Sequence, residues 1–257
     1  MLLYLFVSFK RYKIFYLSLL ITAVIVAAKF ILHYFGAEPL RLGSLHSSVV
    51  TGTFFVVGFL LSATIVDYKE SERIPSEFSS IIENMYEDAK SFHKNYPKFD
   101  KDLFRKRLQE VAMAFTEDVR KKRHGTRLKV HALNDSFVEM EKAGVPANFV
   151  VKLKQQQAQL DKVLFRVTYI QRITFIPSAT ILARSIVPLT VGLLVFTEIE
   201  PFYGGMAIVA IISFILFYIL KLIQVISVPF QQEGKTQDDV SLFLIDKTLN
   251  YLKKDKS

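Results

Sequence analysis

Cysteine and tryptophan are both missing from this 257-residue chain. Without cysteine there is no disulfide, no thiol nucleophile and no thiolate metal site. Without tryptophan the commonest membrane-surface anchor is gone, which leaves Tyr, Phe and Lys to mark any boundary. Catalytic fingerprints are missing too. No Walker loop, GxSxG or dinucleotide motif occurs, and His33, His46, His93, His124 and His131 form neither an HxxxH nor an HExxH spacing. Strand-like alternation, internal repeats and low-complexity tracts are likewise lacking. These absences point away from an enzyme and imply no cofactor and no metal.

What is present is apolar residues and charge, kept apart. The chain is 51% hydrophobic yet 22% charged. A soluble domain would not carry that much apolar surface, and a purely membrane-embedded one would not carry that much charge. Four runs reach the roughly twenty residues that cross a hydrocarbon layer of about 30 Å. They lie at 14–35, 48–66, 173–197 and 202–228. Residues 1–9 are apolar but too short to span, and read as an interfacial segment. The first run continues past Lys29, longer than the apolar part of a cleaved signal, so it reads as a retained span.

Between the second and third runs, residues 68–172 read as four helices. The first begins at Pro75 and places Phe78, Ile82, Met85, Ala89 and Phe92 at three- and four-residue steps. Asp100 caps the next, over about 101–123, with Leu103, Leu108, Val111, Phe115 and Val119 inward. Helices over 126–142 and 147–172 follow. A last amphipathic helix covers 238–254, with Leu242, Ile245, Leu249 and Leu252 on one stripe.

Charge orients these parts. The first thirteen residues hold three Lys and Arg and no acid, and 68–172 holds 21 Lys and Arg against 15 Asp and Glu. The two short turns between runs hold Glu38 with Arg41, and Glu198 with Glu200. Because Lys and Arg accumulate on the cytoplasmic side, both termini and the 68–172 region are expected inside. The expected location is the cell (inner or plasma) membrane, crossed four times. Most of the net charge of +9 is thereby explained by topology, so nucleic acid is not an expected partner.

The stretch 48–75 carries the most specific pattern. Thr51, Phe55 and Phe59 recur every fourth residue on one helical face, Ser62 lies a turn further, and Gly52 and Gly58 flank them. The Gly58-Phe59 pair, Phe55, and the run Tyr68, Glu70, Glu72, Ile74-Pro75 resemble the second transmembrane helix of bestrophins, pentameric ion channels in which this helix lines the pore neck. The order of parts is similar as well: two spans, a large cytosolic helical segment, two spans, and a tail opening on Val228-Pro229-Phe230.

The resemblance implies an all-α, four-span protein with a cytosolic helical bundle, assembled with itself as a ring of five. It implies passive conduction of small anions such as chloride, with Thr51, Phe55, Phe59 and Ser62 lining the pore and the two Phe forming an apolar gate. The animal family's acidic calcium clasp is not matched by Gln231-Gln232-Glu233-Gly234-Lys235, so calcium gating is not expected.

Duller readings stand beside these. The Phe pair packs against another span in one of them. Lys29, Arg184 and Lys221 lie within spans, where they either tune an ion path or snorkel to the nearer surface. Glu198, with Glu200 and Glu38, is either a cation-concentrating ring at the outer mouth or a solvated turn. The run 120–123 either binds anionic lipid heads or simply ends a helix. A cation channel of the same architecture and a non-conducting scaffold or sensor remain the alternative functions.

Overall fold

The computed structural model describes residues 12–121, 125–172, 177–230 and 239–254. The expected interfacial segment at 1–9, Lys122 and Arg123 of the basic run, and the acid-poor tail segment 231–238 lie outside the described residues.

The chain divides into two compact units. The first holds helix α1 (Lys13–Tyr34), the opening half of α2 (Ser44–Asn95), α6 (Pro177–Val195) and α7 (Phe202–Ile226). Each contains a stretch long and apolar enough to cross a membrane, and at most 33% of any such stretch is buried within the subunit. The rest of that apolar surface needs lipid or other protein to cover it. This is a multi-pass membrane protein.

Its internal packing joins α1 and α6 to α7, with Val57, Leu60, Val187, Val191, Val209 and Leu216 in the core. A polar pair crosses that core, the Thr53 and Thr190 hydroxyls lying 2.7 Å apart. In hydrocarbon such groups need a partner, which makes the pair a register mark between α2 and α6.

Two turns, brought alongside by these helices, form a two-residue parallel pairing. β1 (Leu40–Arg41) sets Leu40 beside Thr197 and Arg41 beside Glu198 of β2 (Thr197–Glu198). The sequence shows no strand alternation because two residues are too few to alternate. Just after β2, Gly205 comes so close to Ile199 that a Cβ there would lie 2.8 Å from the Ile199 carbonyl oxygen and 2.7 Å from its Cβ. The obstacle is partly backbone, so it cannot rotate away. Gly205→Ala is expected to destabilise the purified protein by about 1–3 kcal/mol, the usual cost of overpacking, read as a lower unfolding temperature.

The second unit contains the later half of α2, α3 (Lys101–Lys121), α4 (Thr126–Lys142), α5 (Ala147–Arg172) and α8 (Phe243–Lys254). Asp100 caps α3, its Oδ1 accepting from the backbone N–H groups of Asp102 and Leu103 at 2.9 Å each. Phe78, Ile82, Phe115, Leu133, Leu160 and Ile245 share one core, in which the Phe78 and Phe115 rings stack at 3.9 Å. α8 is tied down by polar contacts at both edges. Thr248 Oγ1 donates to Glu83 at 2.6 Å, and Gln109 Nε2 donates to the Leu252 carbonyl at 2.8 Å.

Three boundaries or faces differ from the sequence reading. No helix starts at Pro75: α2 runs through it for 52 residues. Proline forfeits one backbone hydrogen bond and crowds the carbonyl four residues back, but Ile74, Phe78, Ile81 and Ile82 are all buried in one core. That continuous apolar face outweighs the local cost. Leu103, expected inward, is exposed, and its neighbour Phe104 is buried instead. The last helix starts at Phe243 rather than 238, although its stripe of Leu242, Ile245, Leu249 and Leu252 is buried as expected.

Candidate functional site

The membrane stretch of α2 has two unlike faces. Thr53, Val57, Leu60 and Thr64 are buried toward the subunit's own core. Thr51, Phe55, Phe59 and Ser62 point the other way: all four are exposed, with Phe55 at 75% and Phe59 at 70%. The 3.6-residue repeat accounts for this, since residues 51, 55, 59 and 62 stay within one stripe while 53, 57, 60 and 64 form the opposite one. Gly52 and Gly58 belong to the exposed side, and a Cβ at either would meet nothing within 4 Å. Any close helix approach that they permit is therefore not within this subunit.

The composition of this exposed stripe separates it from the other spans. On α7 the exposed positions include Ile208, Ile211 and Ile215, and on α1 Leu20, Val24 and Ile31. Those are faces suited to lipid. The α2 stripe interleaves hydroxyls and glycines with two large aromatic rings, a mixture that hydrocarbon alone does not favour.

At one end of the spans the charges form a closed arrangement. Lys29 is 2% exposed. Its Nζ lies 2.5 Å from Glu38 Oε1, donates to the Val195 carbonyl at 3.3 Å, and also donates to the Thr197 carbonyl. His33 Nδ1 lies 2.8 Å from the other Glu38 oxygen, and its ring stacks on Phe202 at 3.9 Å. One ammonium thus joins α1, the Glu38 turn, the end of α6 and β2.

Glu38, which the sequence sets with Glu198 and Glu200 as an acid of the outer turns, is held inward instead. Its side chain is only 6% exposed and its charge is neutralised inside the subunit. Glu198 is exposed and stands in register with Arg41, which sets a base beside that acid. Arg184 is exposed. Lys221 is half-buried, with its Nζ 3.4 Å from Gln224 Oε1.

Sequence reasoning did not single out His33, Thr190 or Phe202. A signal existed for the first, because Lys29 and His33 are one helical turn apart and therefore share a face. None existed for Thr190 or Phe202, which meet their partners only across the fold.

Burial raises the Glu38 carboxyl, but hydrogen bonds from His33 and Lys29, with the attraction of their charges, outweigh it and hold the group below the ordinary carboxylate range. The folded state therefore binds this proton less tightly than the unfolded chain does. The contribution to stability is full above the ordinary carboxylate value and lost as pH falls through the lower folded one. Unfolding temperature measured across this acid range is expected to drop more steeply for the native protein than for Glu38→Gln. Parallel curves would remove Glu38 as the titrating group.

No family model matches the chain, and no curated protein matches it. Solved structures do. The chain is similar to a bacterial bestrophin homolog from Klebsiella pneumoniae in a point-variant form, with a TM-score of 0.80 at 13% identity over 93% of this chain and 98% of that one. The same homolog phased on zinc gives 0.77 at 13% identity, covering 94% and 97%. A third structure, described only as a membrane protein, gives 0.80 at 13% over 93% and 97%. What is shared at this identity is the fold, along nearly the whole of both chains.

Proposed function

We propose that this chain, which has the fold of the bacterial bestrophin homologs, is one subunit of a ring-shaped ion channel. The exposed α2 stripe of Thr51, Phe55, Phe59 and Ser62 lines its water path. A single helix cannot enclose such a path, whereas cyclic symmetry brings identical faces together around an axis. The observation that carries the reading is the exposure of two Phe rings among hydroxyls and glycines on a span whose opposite face is packed. Five copies is the number that the resemblance to bestrophins supplies.

In this arrangement Phe55 and Phe59 form stacked apolar rings that close the path by dewetting and open it when the helices rotate slightly. The positive edge of each ring, turned to the axis, tolerates a passing anion better than a cation. Arg41 beside Glu198 offsets the one acid of the two-residue pairing, which also favours anions such as chloride. Arg184 and Lys221 add positive charge along or near the spans, while Lys29, neutralised by Glu38, acts only through the turn that it holds. The positive-inside bias places both termini and the 68–172 bundle in the cytoplasm, under the cell membrane.

Purified protein in a planar bilayer under a KCl gradient tests the proposal. A reversal potential near that of chloride is the expected result. A value near that of potassium would overturn the anion reading and keep the pore. Silence in active reconstitutions would remove the channel and leave a scaffold.

A further inference from the structure

The second unit contains a cavity of about 300 Å³ between α3, α4 and α5. Its floor is apolar, from Phe115, Val119, Leu164 and Val167, and four charged residues stand on its wall, Asp118, Asp161, Arg127 and Arg172. Among the described residues, Asp161 has only His131 within ion-pair distance and Arg127 only the Phe165 ring. Asp118, also on the wall, is saturated: Oδ1 accepts from Gly125 N at 3.0 Å, and Oδ2 accepts from Thr126 N at 2.7 Å and Thr126 Oγ1 at 2.6 Å. Gln171 Nε2 donates to the Val119 carbonyl at 3.2 Å, and Thr168 Oγ1 to the Leu164 carbonyl at 2.9 Å.

Asp161 Oδ1, by contrast, is enclosed and accepts no hydrogen bond among the described residues. The nearest cation to it is His131, whose Nε2 is 3.8 Å away. The Arg127 guanidinium lies over the Phe165 ring at 4.7 Å. Stacking uses the face of a guanidinium and leaves its in-plane N–H fork for a carboxylate. An enclosed acceptor without a donor costs folding free energy unless something supplies one. The exposed Arg127 guanidinium on the same wall is free to exchange water for a carboxylate.

We infer that this cavity binds a small zwitterion with an apolar side chain, of the amino-acid class. The ligand's ammonium meets the Asp161 carboxylate, whose side chain is 25% exposed, its carboxylate meets the Arg127 fork, and its side chain lies on the floor made by Phe115, Leu164 and Val167. A ligand with one charge satisfies one wall group and leaves the other bare. The inference does not depend on conduction, and its test contains no current.

Calorimetry on the purified full-length protein, with L-phenylalanine as the probe, reads the proposal directly. Phenethylamine supplies the amine alone and 3-phenylpropionate the carboxylate alone. L-Phenylalanine is expected to bind in the millimolar range or tighter, and each one-charge probe about tenfold more weakly, the loss of one charge-assisted contact. Asp161→Asn is expected to lose about the same factor for L-phenylalanine and to keep its affinity for 3-phenylpropionate. Arg127→Gln changes an exposed side chain whose one tertiary partner among the described residues is the Phe165 ring. It keeps the test informative should the Asp161 variant not fold, and is expected to show the mirror pattern, with phenethylamine unaffected. Absence of L-phenylalanine binding at millimolar concentration overturns the inference. So does equal binding of either one-charge probe, or undiminished binding in both variants.

Discussion

Replacing Phe55 and Phe59 together with alanine is expected to raise open probability in a planar bilayer by about tenfold, the change that roughly 1.4 kcal/mol in a closed-to-open balance produces. The rings are 75% and 70% exposed, so the subunit's own core does not hold them. If they meet around an axis, their removal widens the constriction and lets water persist there, which takes away the barrier that dewetting sets. The same double substitution is expected to change the unfolding temperature little. Val57→Ala on the buried face supplies the contrast, because it opens a cavity in a packed core and costs stability without touching the path. Unchanged currents in the double Phe variant, alongside lowered stability, would return the rings to ordinary packing against a neighbour.

The second large effect is expected at Lys29. Among the described residues, Lys29→Met removes one of the two basic groups within salt-bridge distance of Glu38, the other being His33, and leaves that carboxylate in a site where its side chain is 6% exposed. Breaking a buried pair from one side costs about 3–5 kcal/mol, because the remaining charge is out of water and keeps only the His33 contact. It also deprives the Val195 and Thr197 carbonyls of their donor, and with them the anchor of β2. Removing both charges is a different case. Lys29→Met with Glu38→Leu is expected to recover much of the loss, since no uncompensated ion then stays buried. Chemical denaturation of the two single variants and the double variant measures the coupling. Additive losses would show that the pair does not act as a unit.

Much of this molecule is legible in its residues, for physical reasons that differ by region. The apolar runs mark the spans because hydrocarbon tolerates nothing else over that length. The middle helices are legible because three- and four-residue periodicity survives in any amphipathic helix: α4 and α5 have the expected bounds, and Val130, Leu133, Phe137 and Met140 are all buried. The cap at Asp100 is local chemistry and needs no tertiary partner. Pro75 misleads for the opposite reason. Its local cost is real, and only the shared burial of Ile74, Phe78 and Ile82 overrides it.

Four membrane stretches, a helical second unit and a face on which Thr51, Phe55 and Phe59 must lie together are all readable from the residues alone. All three follow from transfer energies and helix geometry, which act over neighbouring residues. The tertiary structure alone decided which side of α2 is packed and which is bare, that Lys29 and Glu38 neutralise each other, and that Asp161 and Arg127 share a cavity without pairing. Those outcomes depend on groups far apart in the chain, and no local rule ranks such encounters before the helices have packed.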